Sequence, residues 1–188
     1  MGRFHRADRR SDQDQLNGVT ESRWDFLTGR SRSIQKAHAI IKEKNTNAAI
    51  DPETGYNDEE TKVIKETRKI FEDEQIAIGV TCVRVPVLRA HCEAITFECE
   101  KPITEHEVRA ILANAPGVRI VDDRAKNYFP MPIDASGQDD VLVGRIRKDL
   151  SDASGHSISM FVSADQLLKG AALNAIQIAE LLPQRVMA

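Results

Sequence analysis

Arg84 and His91 stand on either side of Pro86 in the run Thr81-Cys-Val-Arg-Val-Pro-Val-Leu-Arg-Ala-His91. A guanidinium can grip a carboxylate bidentately, and an imidazole can move a proton near neutral pH. Facing one cavity, the two could bind and process an acid-bearing substrate. By spacing alone, a surface arginine and a packed histidine is the more ordinary reading. Glu59 and Lys62, three residues apart, would project from one side of a helical turn. For a charged pair on a helix, an exposed ion pair is the usual reading, ahead of a binding site. Cys92 follows His91 directly. Successive strand side chains point to opposite faces, so Cys92 is poorly placed to act as a nucleophile beside that histidine.

The elements that must carry these residues can be read from pattern. Alternating β-branched residues predict a strand over 77–85, ended by Pro86, which lacks a ladder donor. A second strand over 92–100 puts Ile95, Phe97 and Cys99 on one face and Thr96, Glu98 and Glu100 on the other, so that the two strands read as a hairpin. Asn57 and Glu60 form a capping box that opens a helix over 58–73. Thr104 and Glu107 do the same for a helix over 104–114, which Ala115-Pro116-Gly117 stops. Further strands are predicted near 118–122, 141–148 and 157–163. Alternation puts Val141, Val143, Arg145 and Arg147 on one face of the second of these. Pro130 to Gly137 reads as an irregular loop, and 164–182 as a long closing helix. Ser163-Ala-Asp-Gln166 has the capping-box pattern, so Gln166 could simply return to its own helix start.

Residues 1–50 read as a flexible arm. Within them Ile34, Ala37, His38 and Ile41 fall at helical spacing, predicting a short helix over Ser33 to Lys44. Residues 51–188 form the domain. The class expected is α+β, a mixed, mostly antiparallel sheet with helices over one side.

The composition bounds the function. The chain has 188 residues, 41% of them hydrophobic and 29% charged, as in a globular protein. Its net charge of −3 argues against nucleic acid or an anionic membrane as the main partner. There is no apolar run of about 18 residues to span a bilayer, and the arginine-rich start has no apolar signal core. Cys82, Cys92 and Cys99 lack metal-site spacing and read as reduced thiols of a cytoplasmic protein, with Cys82 and Cys99 as core strand residues and no metal expected. Gly79, Gly117, Gly137 and Gly144 are isolated, so no glycine-rich dinucleotide fingerprint occurs.

Five blocks in order carry a resemblance. They are Gly55-Tyr-Asn-Asp-Glu-Glu-Thr-Lys62, Thr81 to His91, Pro130-Met-Pro-Ile-Asp-Ala-Ser-Gly137, Val143-Gly-Arg-Ile-Arg147 and Asp165-Gln-Leu-Leu-Lys-Gly-Ala-Ala172. With them, residues 55–182 resemble the C-terminal half of the aspartate-semialdehyde dehydrogenases. The resemblance implies the substrate-binding and dimerisation domain of a glyceraldehyde-3-phosphate-dehydrogenase-like enzyme. It implies NADPH-dependent reduction of L-aspartyl 4-phosphate to aspartate semialdehyde and phosphate, in lysine, threonine and methionine biosynthesis. In that family a cysteine thiolate takes the acyl group, hydride reduces the thioester and a histidine moves the proton.

By the resemblance, His91 is the acid/base residue, Arg84 grips the substrate carboxylate and Glu59 holds its ammonium group. Lys62 binds phosphate, and Gln166 contacts the nicotinamide cofactor. The family's glycine-rich cofactor domain and its Asn-Cys nucleophile have no match in these 188 residues. NADP would therefore be bound mainly by a separate first half, and this chain, expected as a homodimer, would not turn over alone. The alternative reading is a non-catalytic dimerisation or binding module that kept the family sheet.

Overall fold

In the computed structural model, which describes residues 36–40, 50–83 and 85–181, six strands form one sheet in the order β2-β1-β3-β6-β5-β4. The strands are β1 (Lys36–Ile40), β2 (Ala77–Thr81), β3 (His91–Glu98), β4 (Val118–Ile120), β5 (Val141–Lys148) and β6 (Ser157–Ala164). β3 pairs with β6, and β6 with β5, antiparallel; both edges of the sheet, β1 with β2 and β4 with β5, are parallel. The expected mixed α+β sheet is present.

Helix α1 (Asp58–Phe71) begins at Asn57, whose side chain and that of Glu60 close the capping box read from the sequence. It ends at Glu72 in the left-handed conformation, one residue short of the expected end. Helix α2 (Glu105–Ala113) has the same device at Thr104 and Glu107. Its Val108 and Leu112 meet Ile103, Val143, Ile146 and Ile158 in the main core, under one face of β3, β6 and β5. That packing buries the apolar stripe which the helix could not hide alone.

Several expectations are corrected. Residues 36–40 form a strand, not the short helix expected over Ser33 to Lys44. Each of a five-residue element's apolar positions fits either period, and hydrogen bonding to β2 on one side and β3 on the other decides it. For the same reason β2 and β3 are not a hairpin; β1 lies between them. β2 ends at Thr81, before Pro86, because the Cys82 amide donates to Glu60 Oε1 at 2.8 Å instead of to a strand neighbour. Cys82 is therefore past its strand, and Cys99 lies just past β3 although it packs on the core.

The 130–137 loop contains a one-turn helix, α3 (Pro132–Ala135). In β5 the register shifts between Gly144 and Arg147, with Arg145 at φ 51, so the alternation from Val141 to Arg147 breaks at a bulge. The last helical segment starts with a π-helical turn over Leu168–Ala172 and continues as α4 (Leu173–Glu180). Its first residues were expected at 164, but β6 runs through Ala164. None of its residues is buried, so it does not close the sheet.

Candidate active site

Strand direction brings the candidate residues toward one end of the sheet. His91 opens β3 and pairs with Ala164, the last residue of β6, so Gln166 follows two residues beyond that partner. β1 and β2 run opposite to β3, so both finish at the end where β3 starts. Carrying the β1–β3 register on (Ala37 with Phe97, His38 with Thr96) sets Ile40 opposite Ala94 and Thr81 beyond it, about 10 Å from β3 across two strand spacings.

The start of α1 is fixed to this same end. Glu60 is buried; one of its carboxylate oxygens takes the Asn57 amide at 2.9 Å and the other takes the Cys82 amide at 2.8 Å. The helix turn bearing Glu59 and Lys62 is thus tied to the chain leaving β2. Glu59 is half-buried there. Lys62 is exposed, in a shallow depression shared with Asp58, Thr61, Lys65 and Glu66. Arg84 lies outside the described residues. His91 and Gln166 are both half-buried.

The backbone before His91 is unusual. Ala90 is buried at φ 75, a conformation that costs a side-chain-bearing residue about 1–2 kcal/mol. It packs with Ala135 and Leu142. On the other side of the strand, Cys92 Sγ donates to Ser163 Oγ at 3.3 Å, and Ser163 Oγ donates to the His91 carbonyl at 3.1 Å. Burial pushes the Cys92 thiol up. Cys92 therefore faces away from the His91 side chain and is held as a thiol, as alternation predicts.

The turn carrying Gln166 is set by Asp165, which is fully buried. Its carboxylate takes the Gly137 amide at 2.7 Å and the Leu167 amide at 3.0 Å, and Arg89 Nε lies 2.6 Å away. Burial pushes the Asp165 carboxyl up, but the Gly137 amide, Arg89 and the Leu167 amide together hold it below the ordinary Asp value. Ser163 belongs to β6 and Asp165 accepts the next turn's amides, so the capping box expected at Ser163 and Gln166 does not form.

A family model described as the semialdehyde dehydrogenase dimerisation domain matches residues 34–169. The chain belongs to this family. The aspartate-semialdehyde dehydrogenase of Synechocystis is 57% identical over 130 residues, which are 69% of this chain and 38% of that protein. The Legionella pneumophila enzyme of the same name is 45% identical over 166 residues, 87% of this chain and 47% of that one. A crystal structure of aspartate semialdehyde dehydrogenase II from Vibrio cholerae, complexed with ASA, superposes with a TM-score of 0.70 at 34% identity, covering 79% of this chain and 55% of that one. The chain thus spans about half or less of the curated relatives it matches.

Glu59, Lys62, Arg84, His91 and Gln166 are the residues that the sequence motifs single out. Sequence reasoning missed two others. The sequence marks Glu60 only as a cap and gives Arg89 no role. Only long-range pairing shows that Glu60 reaches Cys82 and Arg89 reaches Asp165.

Proposed function

We propose that this chain is the substrate-binding and dimerisation half of an aspartate-semialdehyde dehydrogenase. The observation that carries the reading is the convergence of the β2 exit, the α1 start, His91 and the Gln166 turn at one end of the sheet. A four-carbon amino acid bearing phosphate needs several charged groups around one small cavity. Glu59 would hold the ammonium group and Arg84 the carboxylate, since a planar guanidinium matches a carboxylate bidentately. Lys62, exposed on its helix turn, would meet the phosphate as a point charge. His91 would take and return the proton at the reacting carbonyl.

The cofactor, NADP, supplies or accepts hydride when bound. The Gln166 carboxamide, in a turn fixed by Asp165, fits the amide of a nicotinamide ring in its hydrogen-bonding groups. The nucleophilic thiolate comes from outside these 188 residues, and Cys92 does not replace it. A second copy packs on this domain. Leu167, Ile176, Ile178 and Leu181 are 56–84% exposed on the last helical segment, a surface suited to cover by the cofactor-binding part.

The test is oxidation of aspartate semialdehyde dependent on NADP and phosphate, by this chain mixed with the separately expressed first half of the Synechocystis relative. Activity with the mixture, lost with His91→Ala and weakened far more by Arg84→Lys than a retained charge would suggest, is expected. A mixture that associates but shows no turnover, or turnover indifferent to His91→Ala, would favour the non-catalytic module instead. In sedimentation the chain is expected as a dimer at tens of micromolar (roughly, above the constant of a specific interface).

A further inference from the structure

The opposite end of the sheet holds a second cleft of about 550 Å³, between the segment after β4 and the end of β5. It lies some five residues along β6 from Ala164, about 17 Å from the His91 end. Its acids are already matched. Glu105 pairs with Arg109 at 2.9 Å and Arg124 at 2.5 Å, Asp122 pairs with Arg109, and Asp123 pairs with Lys126 at 3.3 Å. Three more cations line the cleft, Arg145, Arg147 and Lys148, and among the described residues none has a carboxylate at ion-pair distance. A chain of net charge −3 therefore gathers three unmatched positive charges in one concavity. Like charges placed together repel, so the cluster carries an electrostatic cost.

The backbone aims them. Arg145 sits at φ 51 in the β5 bulge. The following residue, Ile146, is bound by side chains in place of a strand: its amide donates to Asp122 Oδ2 at 3.2 Å and its carbonyl accepts from Arg124 Nη2 at 2.7 Å. The bulge turns the Arg145 guanidinium over Phe129, with its carbon 5.4 Å from the ring centre. Phe129 is itself braced edge-on by Phe161, 6.4 Å between centres. Arg147 Nη1 donates to the Arg145 carbonyl at 2.7 Å, which fixes the second guanidinium against the backbone of the bulge. Tyr128 is 44% exposed and Leu150 99% exposed at the rim, so a charged floor adjoins an apolar wall.

Strain at a bulge, offset by a partly exposed ion-pair network, is how folds re-aim side chains for binding. Guanidinium groups lining one cleft can match the oxygens of a phosphate, and the volume is that of a small-molecule site. We propose that this cleft binds an organic phosphate of about nucleotide size, with the phosphate on Arg145, Arg147 and Lys148 and a flat body against Tyr128 and Phe129.

The test uses the 188-residue chain and calorimetric titration with AMP, adenosine and inorganic phosphate. AMP is expected to bind at least about tenfold more tightly than either part alone, more weakly as salt rises. Arg147→Gln with Lys148→Gln should weaken AMP by about tenfold or more, from loss of charge-assisted hydrogen bonds. Arg145→Gly should weaken it similarly without lowering the melting temperature, because glycine prefers the left-handed bulge position. Lys62→Gln and Gln166→Ala should leave AMP binding unchanged, which separates this cleft from the His91 end. The proposal is overturned if AMP fails to bind, if adenosine binds as well as AMP, or if only the Lys62 and Gln166 variants matter. It is overturned equally if the arginine variants split a dimer while AMP has no effect, since the patch is then a contact between copies.

Discussion

Replacing Asp165 by Asn tests whether one buried carboxylate organises the turn that carries Gln166. The carboxylate accepts two amides, at 2.7 and 3.0 Å, and lies 2.6 Å from Arg89 Nε. Hydrogen bonds to a charged acceptor contribute about 1.5–3 kcal/mol each, and breaking a buried charged pair costs about 3–5 kcal/mol. Arg89 is 39% exposed, so water recovers part of its loss and the lower end applies. Asn keeps one acceptor oxygen but presents an amide group to the remaining donors. The expected cost of Asp165→Asn is therefore about 3 kcal/mol, a melting-temperature drop of roughly 6–12 °C for a chain of this size.

Arg89→Met should cost somewhat less, about 2 kcal/mol, because the carboxylate loses its half-exposed cation but keeps both amides. The pH dependence has a definite sign. The folded carboxyl sits below its ordinary value, so its stabilisation is fully present above the unfolded value of about 3.9 and is lost as pH falls through the lower folded value. The Asn variant should lack that part of the acid slope. Thermal melts of both variants from pH 3 to 7 decide it. An Asn variant within 1 kcal/mol (roughly the scatter of surface substitutions) of the parent, or one less damaged than Arg89→Met, would refute the argument.

Gly144→Ala should destabilise by about 3 kcal/mol in chemical denaturation, since a Cβ there would lie 2.1 Å from the Val121 carbonyl oxygen and 2.5 Å from Pro130 Cδ. Ala90→Gly should be neutral or stabilising by up to about 1 kcal/mol, because relief of φ 75 outweighs the entropy of glycine; a lower melting temperature would contradict this. Glu60→Ala should cost about 2–4 kcal/mol through the lost cap and the stranded Cys82 amide, with Glu60→Gln roughly half as harmful in the same melts.

Local chemistry made much of this legible. Both capping boxes could be read because their two partners are three residues apart and need no other part of the fold. Alternation correctly put Cys92 opposite His91, for the same reason. What escaped is what depends on distant neighbours. The pairing of 36–40 with two strands overrode a helical spacing. Ser163 is drawn into β6 and its hydroxyl donates to the His91 carbonyl, so it does not cap the turn that follows. The β5 bulge is set by Asp122 and Arg124, more than twenty residues away, so alternation through Arg145 had no means of anticipating it. Among the candidate residues, motif resemblance named the set, while only the register showed that His91 and Gln166 leave neighbouring strands at one level.

β1 has a consequence for how the chain can be cut. Among the described residues it is the strand that joins the β2 edge, tied to α1, to the rest of the sheet. Glu59 and Lys62 belong to that edge piece, His91 and Gln166 to the main body, so a five-residue splint keeps the two groups in register. Trimming residues ahead of Asp51 as a dispensable arm would remove the splint and leave both pieces with their own local structure intact. An expressed fragment starting there would still be helical by circular dichroism, yet its two sets of charged residues would no longer share a frame.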